Sequence, residues 1–299
     1  MSQEFSLPDR SCLVHKPVDI GKCLKSSPPI LDEEGLPDRQ HYVYQPKYDG
    51  CCTIVVRLED EVLYFSREGN AVVSLSHLDE HIKAILPVNS VAFGEAWMPF
   101  TEFRAISGAF RRQSPQRGLG LMLFDLIDLA GFQKGYYGVP YGVRYSTLCE
   151  LHTRAGTPGL WVCPTVPENA SPVAYMELLE EDEGAFDGLV AHKLNAPWQA
   201  GRGTEGAHLK IKNKIDLDLE VIAVYPGEGK HRGRMGAVGC RFADGKELRV
   251  GTGFSDTERA NAEQFIGKVV RVVGLSDSGK GSIREPRYKG VRDDTEADY

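Results

Sequence analysis

The stretch Tyr42 to Val56 reads YVYQPKYDGCCTIVV and sets a lysine, an aspartate and a glycine between two β-prone runs. A charged amine at such a junction is either a solvated turn residue or a group held for chemistry. Lysine is a poor nucleophile while protonated, its normal state at pH 7. In a partly desolvated pocket, or beside other cations, its pKa falls and it can attack carbonyl or phosphoryl centres. Lys47 leaves a strand end just ahead of Asp49 and Gly50, which turn the chain into the next strand, so it would be well fixed for such an attack. The K-x-D-G pattern is short enough to arise by chance, and alone it leaves both readings open.

The elements around it read as a mixed α/β domain. β-rich runs lie near 42–46, 52–58, 62–66, 91–97, 120–127 and 188–193, with helical runs near 76–86, 141–154 and 172–183. The strands and helices do not alternate as a regular βαβ series, so antiparallel sheets are expected at least in part. Residues 1–40, rich in Pro, Lys and Ser, read as a wrapping lead-in. A second unit opens with LDLEVIAVYP at 217–226, followed by a Gly-rich turn, strands at 236–243 and 246–251, a helix, and a strand at 268–275. Ser255 and Glu258 have capping-box spacing, and Ala262, Phe265 and Ile266 supply an apolar face. About 80 residues with four or five short strands and one helix fit a small Greek-key barrel of the OB type. The expected domains are 1–216 and 217–299, with a polar hinge near 211–218.

The 299 residues are 41% apolar and 26% charged, as in globular proteins. No apolar run is long enough to span a membrane and no signal-peptide pattern opens the chain, so a cytoplasmic location is expected. Seven cysteines with no C-x-x-C pair read as small apolar residues in a reducing compartment. A net charge of −7 opposes nucleic-acid binding only on average. Acidic residues concentrate at 177–187 and in the tail. Basic ones cluster at Arg202, Lys210, Lys212 and Lys214, and again at Lys230, Arg232, Arg234, Arg241, Lys246 and Arg249. GLSDSGK at 274–280 nearly spells a phosphate loop, but Gly281 replaces the required Ser/Thr and Pro286 blocks a following helix, so a hairpin turn is expected.

After KYDG come, in order, FSREG (65–69), FGEAW (93–97), LFDLID (123–128), FDGLVAHK (186–193) and HLKIKNK (208–214). This series resembles the nucleotidyltransferase superfamily of ATP-dependent DNA ligases, RNA ligases and mRNA capping enzymes. Residues 220–294 look like the OB domain of short DNA ligases, of the kind found in bacteriophages. The resemblance implies an α+β fold: an ATP-grasp-like nucleotidyltransferase domain with antiparallel sheets, followed by an OB-fold β-barrel. It also implies that Lys47 attacks the α-phosphorus of ATP, with Lys210 and Lys212, at i and i+2 of a strand, set together against the α-phosphate. Asp187 and Glu95 match carboxylates that hold Mg²⁺ or Mn²⁺, Glu95 also matching a ribose contact. Gln45 matches the contact to the adenine edge, Phe124 the aromatic stacked on adenine, Arg202 a phosphate contact, and Arg67 the holder of the 5′-phosphate at a nick.

Three positions depart from the pattern. Cys52 stands where arginine is common, Asp187 where glutamate is more usual, and Arg292 is followed by Asp293, Asp294 and Thr295 in place of R-x-D-K. The implied protein is a monomeric ATP-dependent DNA ligase acting on nicked duplex DNA, with an OB domain that rotates about the hinge. A GTP-using mRNA guanylyltransferase and an RNA ligase share the lysine chemistry. A non-catalytic OB protein binding single strands would instead need stacking aromatics on the barrel, where residues 226–254 offer Phe242 and Phe254.

Overall fold

The structure, a computed structural model, describes residues 5–20, 29–32, 35–155, 158–180, 186–202, 206–212, 214–242, 245–277 and 282–292. It forms two compact units, Met1–Ile211 and Lys212–Tyr299. The boundary expected at residue 216, and most of the expected hinge, fall within the first strand of the second unit.

The first unit runs through β1 (His15–Lys16), β2 (Val18–Asp19), β3 (Tyr42–Tyr48), β4 (Cys51–Arg57), β5 (Val62–Ser66), α1 (Asp79–Ile85), β6 (Ser90–Trp97), α2 (Phe103–Phe110) and β7 (Gly120–Asp128). There follow α3 (Leu129–Lys134), β8 (Tyr136–Tyr137), α4 (Tyr141–Ala155), β9 (Leu160–Val162), α5 (Pro172–Glu180), β10 (Phe186–Lys193), β11 (Trp198–Gln199), β12 (Gly201–Arg202) and β13 (His208–Ile211). One sheet has the order β5-β4-β6-β7-β9, antiparallel except where β9 joins β7. The period-2 alternation of β4 explains its two-sided burial. Val55 packs with Leu121, Leu123 and Ile106 on one face, and Ile54 and Val56 with Phe93, Ile127 and Phe132 on the other.

The other large sheet has the order β2-β13-β10-β3. Its apolar face, from Tyr42, Tyr44, Leu189, Ala191, Leu209 and Ile211, packs on Met176 of α5. The opposite face is polar. The registers Gln45↔Val190↔Lys210 and Val43↔His192↔His208 put Gln45, Lys47, Lys210, His192 and His208 on that one side. Pro46 can sit inside β3 because β3 is an edge strand, where a missing ladder donor is tolerated.

Helices α2 and α3 and the short β9 were not expected from periodicity. In α2 the apolar positions Phe103, Ile106 and Phe110 follow helical spacing, but Gly108 and the following arginines blur the pattern. Within the lead-in, residues 15–19 join the sheets: β1 pairs in parallel with β12, and β2 with β13. The end of the helix expected at 172–183 lies outside the described residues.

The second unit comprises β14 (Lys214–Pro226), β15 (Met235–Arg241), β16 (Glu247–Val250), α6 (Asp256–Ala260), β17 (Val269–Asp277) and β18 (Ser282–Arg292), in the order β16-β15-β14-β17-β18. Thr252, just past β16, bridges Arg287 in β18, and the Tyr288 N–H donates to the Thr252 carbonyl at 2.9 Å, so the two edges meet as a barrel requires. The capping box at Ser255 and Glu258 forms as expected. The helix stops at Ala260, however, and Ile266 is exposed while Phe265 fills the core. Buried Arg259 donates to the carbonyls of Met235, Gly236 and Gly251 at 2.8–3.0 Å, pinning α6 to the barrel. The near-phosphate-loop joins β17 to β18, whose ends pair Asp277 with Ser282, as in a hairpin. Residues 278–281 themselves, and Asp293 to Thr295, lie outside the described residues. Among the described residues no helix is long and apolar enough to cross a membrane.

Candidate active site

Lys47 lies near the end of β3, and its Nζ meets Asp187 Oδ2 at 2.9 Å, with side chains 22% and 13% exposed. Asp187 reaches it through a β-bulge. Phe186 pairs with Tyr48 and Leu189 with Pro46, so β10 inserts one extra residue against β3. Gly188 takes φ +88°, a backbone conformation that glycine adopts at little cost. The glycine of FDGL is therefore what lets the strand bulge and re-aim its aspartate.

The glycine of KYDG has a different origin. A Cβ on Gly50 would lie 2.2 Å from the Ala96 carbonyl oxygen and 2.9 Å from Glu95 Cγ, so the turn presses directly on β6. The Gly50 N–H also donates to the Glu95 carboxylate. Burial pushes that carboxyl up to about 7, against the opposing pull of the Lys47 ammonium and of Arg67. Glu95 is thereby held within electrostatic reach of the lysine from the other sheet. Arg67, in the turn after β5, is exposed and pairs with Glu68 at 3.0 Å. Cys52 pairs with Glu95 across β4 and β6, and burial raises its thiol pKa; the Cys51 thiol is pushed up to about 11 for the same reason. Burial thus disfavours the thiolate, the reactive form, at both cysteines.

Gln45 is buried on the Lys47 face of β3. Its Nε2 donates to the Cys163 carbonyl at 3.3 Å, and its Oε1 accepts from the Tyr141 hydroxyl at 3.1 Å. Phe124 is the extra residue of a second bulge, where Gly94 pairs with Leu123 and Phe93 with Asp125. Its ring is partly buried against the Ile54–Phe93 cluster. Lys210 aligns with Gln45 through Val190. Lys212 falls one residue beyond β13 and belongs to the second unit, so a shared strand does not align the two lysines as expected. The backbone of Arg202 pairs with Lys16, and its side chain lies outside the described residues.

Several buried polar residues beside the site had no sequence signal. His192 and His208 touch through their Nδ1 atoms at 2.7 Å, one donating to the other, and His15 meets His208 edge-on at 4.2 Å between ring centroids. The Tyr141 ring stacks on His192 at 4.4 Å. Burial, with help from the Arg144 cation, lowers His15 to about 4 and His192 to about 3, and holds His208 well below its ordinary value. Arg144 grips Asp125 with two bonds, at 2.7 and 2.9 Å. These contacts join positions far apart in the chain, so no local spacing could announce them.

Residues 226–292 match the family model described as the DNA ligase OB-like domain. The chain is 31% identical over 185 residues to the DNA ligase of Haemophilus influenzae, an alignment covering 60% of this chain and 63% of that enzyme. It therefore spans less than two thirds of that relative's length. Among solved structures, the protein named Pmar-Lig_Pre superposes with a TM-score of 0.71 at 22% identity, over 95% of this chain and 68% of that one. A Lig E DNA ligase, studied for DNA binding with a minimal scaffold, gives 0.65 at 20% identity, over 89% and 98%. The second unit thus matches the OB-like domain model of DNA ligases, one sequence relative of the chain is a DNA ligase, and the chain shares the fold of these solved structures over nearly its whole length.

Proposed function

We propose that the protein is an ATP-dependent DNA ligase that seals a 3′-hydroxyl to a 5′-phosphate at nicks in duplex DNA, acting as a monomer in the cytoplasm during replication and repair. The observation that carries this reading is the Lys47 ammonium held by Asp187 on a polar sheet face shared with Gln45 and Lys210. Residues 1–211 would form the adenylation domain and the remainder the OB domain.

The chemistry divides into three transfers. Lys47 Nζ loses a proton, Asp187 being its hydrogen-bonded carboxylate, and attacks the α-phosphorus of ATP. An N–P bond forms as the bond to pyrophosphate breaks. The 5′-phosphate at the nick then takes AMP from the lysine, and the 3′-hydroxyl attacks that phosphate and expels AMP. Lys210 and Lys212 would neutralise phosphate charge in the first step, as would Arg202. Arg67, exposed beside the site, would hold the nick 5′-phosphate. Gln45 would meet the adenine edge and Phe124 its face.

Among the described residues no group of three or more His, Cys, Asp or Glu side chains forms a metal cage. That suits a hard cation arriving with the nucleotide, which takes one or two protein carboxylates and completes its shell with phosphate and water. Asp187 and Glu95 would hold it as Mg²⁺ or Mn²⁺, and its contribution would be to orient and neutralise the phosphates.

Intact mass after incubation with Mg²⁺ and either ATP or GTP tests the reading. An adenylyl adduct from ATP, absent in Lys47→Ala, is the expected result. An adduct from GTP alone would favour the capping reaction. No adduct with either nucleotide, in protein first treated with pyrophosphate to remove bound AMP, would refute covalent transfer.

A further inference from the structure

Arg67 follows β5 directly, and β5 is the edge strand of its sheet. A turn at a sheet edge is supported by the sheet from one side, and such segments open locally with little free energy. The turn itself is tight. The Ser66 N–H donates to the Asn70 carbonyl at 2.8 Å, the Gly69 N–H donates to the Ser66 carbonyl at 2.9 Å, and Gly69 takes φ +86°, which glycine adopts at little cost. These bonds fix the shape of the turn but not its place. The Arg67 side chain is 53% exposed and pairs with Glu68, which belongs to the same turn and moves with it.

Residues 5–19 hold the turn from outside. Leu7 and Leu13 close over Gly69, where a Cβ would lie 3.2 and 3.1 Å from their Cδ1 atoms. The Phe5 ring meets Phe65 at 6.2 Å between centroids. The same segment is tied down elsewhere in the unit. Gln133 Nε2 donates to the Ser6 carbonyl at 3.3 Å, and Arg10 donates to the Gln133 carbonyl while lying over Gly135 at the end of α3. Farther along, the Gly201 N–H of β12 donates to the Val14 carbonyl at 2.9 Å, and Val18 and Asp19 pair with Leu209 and Lys210 of β13. The segment is therefore a belt that runs from the Arg67 turn on one sheet to the Lys210 strand on the other.

Resting on the proposed sealing of nicks, we propose that Leu7 and Leu13 are positioning residues for the nick 5′-phosphate: they pin the Gly69 turn and so hold Arg67 in a fixed place relative to Lys47. Transfer of AMP from Lys47 requires that phosphate to be held in line with it, and a misplacement of about 1 Å can cost about a hundredfold in rate. The first transfer, from ATP to Lys47, does not use Arg67 in this reading. The belt should therefore matter to one step and not to the other.

The test measures the two steps separately in the whole protein: lysyl–AMP formation from ATP, and AMP transfer from the adenylated protein to nicked duplex bearing a 5′-phosphate. Leu7 is half-buried, so Leu7→Ala should keep the fold and leave lysyl–AMP formation within about twofold. It should raise the half-saturating concentration of nicked duplex by about tenfold, as loss of a positioning contact does. Leu7→Met, which refills the contact, should restore it, and Leu13→Val should show the same split between steps. Arg67→Ala should weaken the second step further. The double variant of Leu7→Ala with Arg67→Ala should then be no worse than Arg67→Ala alone, because the leucine acts through the arginine. Equal losses in both steps, additive losses in the double variant, or a folded Leu7→Ala protein that binds and adenylates nicks like the wild type would overturn the role of the belt. If Arg67→Ala left the second step unchanged, the assignment of Arg67 would fall and the role of the belt with it. No lysyl–AMP in the wild type would overturn the adenylation reaction beneath both.

Discussion

At the scale of single residues, the turn that carries Lys47 is set by contact between backbones. Gly50 is needed because the Ala96 carbonyl occupies the space where a Cβ would stand, and carbonyl oxygens in a sheet cannot step aside as a flexible side chain can. Gly50→Ala should therefore destabilise the first unit by about 1–3 kcal/mol, the usual cost of overpacking, and lower its melting temperature by several degrees. It should also slow nucleotidyl transfer more than the lost stability explains, because the Gly50 N–H orients Glu95. A variant with wild-type melting and wild-type adduct formation would show that the turn can relax. The sequence reading took this glycine for a turn-former, and chain direction does change there. The reason it must be glycine lies on another strand, forty-six residues downstream, and that could not be read locally. Lys47, Asp187 and Glu95 could be proposed from the sequence because each sits in a short contiguous pattern. Tyr141, by contrast, was one more residue of a helix until its hydroxyl was seen between Gln45 Oε1 and the Phe124 carbonyl.

At the scale of elements, three histidines join strands that are remote in sequence: His15 from β1, His192 from β10 and His208 from β13. All three are kept neutral by burial and by Arg144, so their folded pKa values lie below the ordinary 6.5. Protonation then favours the unfolded chain. The stability they contribute is complete above about pH 6.5 and is lost as pH falls toward about 4. For His15 alone the loss at pH 5 should be about 2 kcal/mol. Melting temperatures measured from pH 7.5 to pH 5 should fall in the wild type and fall less steeply in His15→Gln; parallel slopes would mean that His15 is not held neutral. The long strands of the first unit were legible from alternation because each buries two faces or one. The two-residue strands β1, β2 and β12 were not, since their extended form is supplied by the strands they join rather than by their own composition.

At the scale of the whole molecule, a net charge of −7 coexists with exposed cations on the barrel, among them Lys230, Arg232 and Arg249. Contacts from such side chains to a phosphate backbone release counterions and carry no sequence information. Affinity for nicked duplex should accordingly drop about a hundredfold between roughly 50 and 200 mM salt if four phosphates are neutralised. Titrations of labelled nicked DNA at several salt concentrations would check this, and a flat response would argue against a backbone-reading surface. The distribution of charge was legible in the sequence, as was the barrel, because capping signals and strand lengths in the second unit are local. The parallel pairing of residues 15–19 with strands near 201 and 210 carries a kinetic consequence. This segment leaves the ribosome early, yet its partners are made nearly two hundred residues later. Contacts of such high order close last and slowly. The polar face with Lys47 should thus stay open on one side until β13 is complete, so that a nascent chain cut short before residue 208 has Lys47 but no finished wall beside it.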